Sequence, residues 1–589
     1  VGVEARYCDI VMKGGITSGV VYPLAAVELA KERRFRNIGG TSAGAIAAAA
    51  VAAAEFGKHS GDNPNAYEEI SELPRWLGTH LASLFQPSRT MRPFFNTLLS
   101  ALAGGIPAKL MAPLNGFPLA ANVGLLPGAA FVAAAFALDP GTAMKVLATA
   151  VGVLVLLPLG VLVAIAVSAA WRLRRLPDSC YGLCAGNDRA GKAANPPLTR
   201  WLADLLDRLA GREAGQRPLT FGDLWRLKAP PGERGLNLQM MTSCLSQGRP
   251  YSLPFEGGEK LWFDPEELRR LFPARIVDHM VDNADGEPDT AGRLPLPAAA
   301  EMPVVVAARM SLSFPLLIAA VPLYAENHAW KDGPRVERCW FSDGGITSNF
   351  PVHFFDSPVP RWPTFAIDLI PLTPDRTLSE VESENVWLPK TNHQGIDEAW
   401  VGWEKKGEFG RLAAFLNSIF RTAQNWIDNR QMRGPGYRDR IAHVRLTKDE
   451  GGMNLDMDGP TIERLASRGR SAAAQLSERF GPQPPADAEL TWANQRWVRY
   501  RAYATLVEQQ GEQAVRGLRG APGGPPAAPL EEPQLGDRER YGWSDAAQQG
   551  LASSATEDLL DLFAGWQGDG RFSQGSPEPP IQPWQVPRV

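Results

Sequence analysis

Three short segments carry the residue types that acyl transfer needs. Gly40-Thr-Ser42-Ala43-Gly44 fits the G-x-S-x-G spacing, in which small flanks permit a tight strand-to-helix turn that lifts a serine hydroxyl to a helix N-terminus. There the unpaired N–H groups and the helix dipole favour developing negative charge. Trp340-Phe-Ser-Asp343-Gly344-Gly345 brings an apolar strand to a carboxylate on a glycine turn, with Asn349 and Pro351 following. A carboxylate so placed can take a serine proton directly. Taken alone, Asp343 reads equally well as an Asx-type turn residue, and an ordinary pKa of ~3.9 makes it an ionised but weak base. Gly14-Gly15 follows a short apolar run, and glycines at such a point let main-chain N–H groups approach a carbonyl oxygen on which charge builds.

Rival chemistries lack their residues. A serine–histidine triad has seven histidines to draw on, at 59, 80, 279, 328, 353, 393 and 443, and none lies in a context that marks a general base. A phosphate-cradling loop needs a lysine after its glycines, whereas Lys13 precedes them. Cys180 and Cys184 have no second ligand pair, so no metal site is expected. The 60 Lys+Arg against 64 Asp+Glu give a net charge of -4, which excludes a bulk nucleic-acid binder. Five scattered cysteines do not form a secreted disulfide framework, and residues 1–9 lack an apolar leader, so the chain reads as intracellular.

The elements that would hold these residues are legible in outline. Asp9–Met12 predicts a strand, Val20–Lys31 a helix, and Ala45–Phe56 an alanine-rich helix behind Ser42. Thr364–Ile370 and Ile441–Leu446 predict core strands. A helix is expected over 487–510, with Leu490, Ala493, Trp497, Tyr500, Ala504 and Val507 recurring as a packing stripe; Arg496, Arg499 and Arg501 beside it leave membrane-surface contact as the alternative. Ala521–Pro533 reads as a linker, Ser544–Trp566 as a short helix, and Ser573–Val589 as an irregular tail.

Two apolar stretches interrupt the first third of the chain. Within Val146–Ala170, 14 of 25 residues are Leu, Ile or Val, and Phe117–Leu138 is uncharged but richer in alanine. Both reach the roughly 20 residues that a membrane span requires. Lys109 before the first stretch and Arg172, Arg174 and Arg175 after the second place both outer ends in the cytoplasm. If Ser42 and Asp343 share one site, the number of crossings between them is even, so a single span is excluded. Two buried helices of a soluble core are the competing reading.

Together these motifs resemble the patatin-like phospholipases, lipid acyl hydrolases with a Ser–Asp dyad. The family's glycine-rich oxyanion loop matches Gly14–Gly19, its nucleophile elbow matches Gly40–Gly44, and its D-G-G turn matches Asp343–Gly345. Arg309-Met-Ser-Leu-Ser-Phe-Pro315 is similar to the small-residue segment that precedes the acid strand. The phrase Met12–Pro23 resembles a bacterial branch labelled RpoH suppressor. Ile16 stands where the family has a third glycine, and Ser18 where it has a basic residue. Lys13 is the candidate to restore that lost charge.

The resemblance implies a patatin-like three-layer α/β/α hydrolase fold with an inserted transmembrane helical hairpin. Its parts are expected at 1–92 and 176–480, with the membrane insertion over 93–175, a helix over 481–510, and linker and tail over 511–589. It implies Ser42 as nucleophile and Asp343 as base. The oxyanion donors would come from Gly14, Gly15, Ile16 and Ala43, the elbow from Gly40 and Gly44, and support of the acid turn from Gly344, Gly345 and Asn349. No cofactor is implied. The expected partner is a phospholipid bilayer at the cytoplasmic membrane, with an activator of unknown kind and no nucleic acid. A catalytically weak lipid-binding or regulatory membrane protein on the same fold, and a serine hydrolase of non-lipid acyl esters or thioesters, are the alternatives.

Overall fold

The computed structural model describes residues 6–15, 18–102, 106–138, 141–188, 195–213, 215–229, 234–372, 376–395, 408–447, 449–451, 454–455, 457–521, 523–537, 540–566, 568 and 570–577. Its centre is a mixed sheet. Six strands position the site: β1 (Arg6–Met12), β2 (Arg33–Gly40), β3 (Asn237–Cys244), β4 (Arg335–Asp343), β5 (Thr364–Pro371) and β6 (Ile441–Leu446). They lie in the order β6-β5-β1-β2-β3-β4. The first five of that order run parallel, and β4 joins β3 antiparallel. Further antiparallel strands continue the sheet beyond β4, and Val386–Trp387 edges it beyond β6.

Parallel strands are covered on both faces and so read as apolar runs. In β1, Cys8, Ile10, Val11 and Met12 are all fully buried. The period-2 alternation of a strand divides them: Ile10 and Met12 join the main core with Phe365 and Ile367, whereas Val11 and Ala366 join a smaller cluster with Phe350, Tyr437 and Ile441. The main core is completed by the Ala43–Ser60 helix, whose Ala45, Ala48, Ala49, Ala52 and Ala53 are wholly buried. Helices on a mixed sheet agree with the α/β class expected. The helix expected over Val20–Lys31 is shorter, Tyr22–Leu29, because a 3-10 turn at Ser18–Val21 takes its first residues and Pro23 sets its start.

The two apolar stretches form the helices Pro118–Ala137 and Thr142–Leu173, long and apolar enough to cross a membrane and scarcely buried within the protein. They pack on each other through glycines. A Cβ on Gly124 would lie 2.5 Å from the Gly160 carbonyl oxygen, and one on Gly128 2.7 Å from Leu157, so the Gly124–Gly128 spacing brings the backbones together. Leu119, Leu126, Leu154 and Leu162 face outward. At the base of the second helix, Arg172 donates to the Thr90 carbonyl at 3.2 Å.

One expected face is turned. The helix expected over 487–510 forms as Trp492–Arg519; Leu490 and Ala504 of the expected packing stripe are buried, but Trp497 and Tyr500 are 57% and 41% exposed. Gln495, Val498, Arg499 and Ala502 are buried instead. The cause is electrostatic: Arg499 reaches Asp356 at 2.9 Å inside the protein, beside Arg440 at 3.2 Å from the same carboxylate. A buried charge must keep its partner, so this pair sets the rotation of the helix. The short helix near the C-terminus is Ala546–Ala564. The start of the expected irregular tail packs on the long helix, with Arg501 donating to the Gln574 carbonyl at 2.9 Å; residues 578–589 lie outside the described residues.

Candidate active site

Ser42 sits between β2 and the Ala43–Ser60 helix with φ 56° and ψ -131°. For a residue with a side chain such a backbone costs of order 1–3 kcal/mol and persists only where its surroundings enforce it. The enforcement is local. A Cβ on Gly40 would lie 2.4 Å from the Gly44 carbonyl oxygen, and one on Gly44 would lie 2.3 Å from that of Met12. Both glycines are therefore obligatory, as the motif suggests. The Ser42 N–H donates to Ser311 Oγ at 3.1 Å.

Asp343 ends β4 opposite Thr242 of β3, and its N–H donates to the Ser313 carbonyl at 3.0 Å. Burial pushes its carboxyl up to about 7, with the Ser42 hydroxyl and the Gly345 N–H drawing it the other way. Oδ1 accepts the Gly345 N–H at 2.7 Å. Among the described residues, Oδ2 is buried without a hydrogen-bond partner at normal geometry, so the adjacent Ser42 hydroxyl has not closed a full hydrogen bond. Catalytic hydrogen bonds often tighten only when substrate is bound. The ordinary Asp pKa expected from the sequence is corrected by this burial: near neutral pH the carboxyl can both take up and give back a proton.

The acid turn is built as tightly as the elbow. A Cβ on Gly344 would lie 2.1 Å from the Met241 carbonyl oxygen, and one on Gly345 2.9 Å from Asp343 Oδ1. Asn349 links this turn to the other two segments. Its carbonyl accepts the Gly14 N–H at 2.8 Å and the Thr41 hydroxyl at 3.1 Å.

That contact corrects the expectation for Gly14, whose N–H is spent on Asn349 and is not an oxyanion donor. What Gly14 supplies is close approach: a Cβ there would lie 2.3 Å from Asn349 Oδ1 and 2.9 Å from Ser42 Cβ. Gly15 is half-buried beside it, and Ala43, at the first position of its helix, is buried. Their N–H groups have no backbone partner among the described residues. Ile16 lies outside the described residues. Lys13 does not offer a free charge in place of the missing basic residue. Its Nζ lies 2.6 Å from Asp368 Oδ1, while His443 Nδ1 lies 3.1 Å from Oδ2. Burial alone would raise the Asp368 carboxyl, but Lys13 and His443 hold it well below the usual range.

Several supporting residues escape sequence reasoning. Asp428, on the Glu408–Met432 helix, accepts the N–H groups of Asn349 at 2.7 Å and Phe350 at 2.9 Å and the Ser348 hydroxyl at 2.7 Å. Burial raises its carboxyl to about 6. Gln424 of the same helix donates to the Gly345 carbonyl. Nothing in the spacing of that helix singles out either residue. Ser311 and Ser313 were nearer to hand, since both belong to the Arg309–Pro315 segment. Arg309, wholly buried, fixes that segment by donating to Ser313 Oγ at 2.7 Å and the Ala319 carbonyl at 2.9 Å. Among the described residues, no cluster of His, Cys, Asp and Glu could hold a metal ion.

The site can therefore be compared with known proteins. The family model "Patatin-like phospholipase" matches residues 153–356, which includes Asp343 and leaves Ser42 outside. A protein of Rhizobium meliloti described as "RpoH suppressor" is 38% identical over 96% of this chain and 96% of its own. A "Bifunctional purine biosynthesis protein PurH" of a Synechococcus strain is 28% identical over 30% of this chain and 38% of its own. Among solved structures, VipD from Legionella pneumophila aligns with 87% of this chain and 77% of its own, at 14% identity and a TM-score of 0.28.

Proposed function

Because the chain belongs to the patatin-like phospholipase family, we propose that it is a membrane-associated lipid acyl hydrolase that works through a Ser42–Asp343 dyad. The family match supports a lipid acyl hydrolase in general; the dyad and the membrane are this reading's own. The observation that carries it is the strained Ser42 backbone beside a buried Asp343 whose pKa is raised to about 7.

Each step follows from that geometry. Ser42 Oγ attacks the acyl carbonyl carbon while Asp343 takes its proton. The carbonyl oxygen gains negative charge, which the Gly15 and Ala43 N–H groups and the N-terminus of the Ala43–Ser60 helix stabilise. The bond to the glycerol oxygen breaks as Asp343 returns the proton to the leaving alcohol, and the acyl group stays on Ser42. Water, deprotonated by Asp343, then attacks the acyl carbon, the bond to Ser42 Oγ breaks as Asp343 returns the proton to it, and the fatty acid leaves. In this reading the Pro118–Ala137 and Thr142–Leu173 helices form a transmembrane hairpin. It tethers the domain to the bilayer and raises the effective concentration of its substrate. The basic residues Arg172, Arg174 and Arg175 put the domain on the cytoplasmic side.

The test is fatty-acid release from mixed phospholipid vesicles by the purified protein, beside Ser42→Ala and Asp343→Asn. Release abolished in both variants supports the dyad and the lipid substrate together. A parent that releases nothing, and whose Ser42 no fluorophosphonate probe labels, refutes the reading in favour of a binding protein.

A further inference from the structure

Resting on that reading, we propose that a cavity leading away from Ser42 along the Ala43–Ser60 helix is the slot for the substrate's acyl chain. Ala50 and Trp201 set the chain length it accepts. Aliphatic and aromatic side chains line it.

Its position ties it to the dyad. Ala43, Gly19 and Leu312 line one end. Ala43 follows Ser42, Gly19 closes the glycine-rich loop, and Leu312 follows the Ser311 whose hydroxyl holds the Ser42 N–H. An acyl group esterified to Ser42 therefore has this opening at its side. An apolar lining of this kind favours a hydrocarbon chain over water.

One wall works as a ruler. Ala43, Ile46, Ala47, Ala50 and Val51 line the cavity, and their spacing is that of one helix face. Three of the five are alanines, which leaves room where larger side chains would fill it. From Ala43 to Ala50 the helix rises about 10 Å, the reach of roughly eight carbons of an extended chain. The opposite wall comes from Leu73 and Leu77 of the Ala66–His80 helix and from Trp201 and Leu205 of the Leu198–Leu209 helix. The last turns of the Ala43–Ser60 and Leu198–Leu209 helices meet at Gly57, where a Cβ would lie 2.2 Å from the Leu209 carbonyl oxygen. Trp201 and Leu205 line the cavity together with Ala50 and Val51. The Trp201 indole stacks on Trp76 with centroids 5.4 Å apart, and Trp76 stacks on His80 at 4.5 Å. Trp201 is thus a braced part of that wall.

The full-length protein in detergent micelles is assayed with p-nitrophenyl butyrate, octanoate and palmitate, as the parent, Ala50→Phe and Trp201→Ala. A phenyl group at Ala50 shortens the slot, so the palmitate-to-butyrate ratio of kcat/KM falls at least about tenfold. Trp201→Ala, which removes a wall without adding bulk, moves the ratio the other way. Ratios within about twofold of the parent in both variants, each with Ser42 still labelled by a fluorophosphonate, overturn the slot while leaving the dyad standing. A parent that hydrolyses none of the esters and is not labelled at Ser42 refutes the acyl-hydrolase reading and the slot with it.

Discussion

Asp343→Asn should make the protein more stable while abolishing its activity, and the gain should grow with pH. The folded carboxyl has a pKa of about 7 against 3.8 for an ordinary Asp, because burial disfavours its charge. Between these values the folded state holds a proton that the unfolded state has released, so stability falls as pH rises from about 4 to about 7 and levels off above. At 1.36 kcal/mol per unit, the raised pKa costs the parent about 4 kcal/mol at alkaline pH, of which about 2 develops between pH 5 and pH 7. Asparagine keeps an acceptor for the Gly345 N–H and carries no charge, so it escapes this cost. The other buried carboxyls that burial raises, such as Asp9 and Asp428, are common to both proteins and cancel in the difference. At about 1 °C per kcal/mol for a chain of this size, Asp343→Asn should melt roughly 4 °C above the parent at pH 8 and closer to it at pH 5. The assay is a pair of thermal melts across that range in one detergent and salt. A melting-point difference that does not change between pH 5 and pH 8 would show that the carboxyl is not held desolvated, and the pH-tuned base falls with it.

For the parent, kcat/KM on a soluble ester should rise about tenfold per pH unit below 7 and flatten above it, since Asp343 must be unprotonated to accept the serine proton; a flat profile from pH 5 to 8 contradicts this. Lys13→Met leaves buried Asp368 with His443 as its remaining partner and should cost up to about 3–5 kcal/mol. Adding Asp368→Leu to it should recover much of that loss in a double-mutant cycle of chemical denaturation. Gly44→Ala places a methyl 2.3 Å from the Met12 carbonyl, so the elbow must open. Activity should fall at least about a hundredfold, as expected when a nucleophile and its oxyanion donors lose register, and Ser42 labelling by a fluorophosphonate should fall in step.

How much of this was legible depended on whether the interaction was local. The Gly40–Gly44 elbow and the Asp343–Gly345 turn are sequence-local, and a glycine forced by backbone contact leaves a mark that can be read without a fold. Likewise β6 is legible at its observed bounds, Ile441–Leu446, because apolar residues recurring over a short segment mark a buried strand without reference to its partners. The raised pKa of Asp343 was not legible, since burial is a property of what the rest of the chain packs around it. Nor was the spending of the Gly14 N–H on Asn349, which joins residues 335 apart in sequence. The turned face of the Trp492–Arg519 helix is the same lesson in packing. Periodicity counted Trp497 and Tyr500 as core, but the Arg499–Asp356 pair is a single long-range contact that outweighs the stripe.

The two halves of the site also differ in age on the ribosome. Ser42 and Asp343 are separated by 301 residues (343 - 42), and both apolar helices lie between them. At about 5–20 residues per second, N-terminus first, the nucleophile exists for roughly 15–60 s before its base has been made. Throughout that interval the strained elbow has neither Asp343 nor the Asn349 carbonyl that fixes Gly14, so the nascent chain is an acyl hydrolase without a working base. With the hairpin read as membrane-spanning, both helices leave the ribosome before the acid does. On that reading the order of the chain makes delivery to the bilayer precede competence, a timing that would be lost in a circular permutant placing β4 ahead of the hairpin.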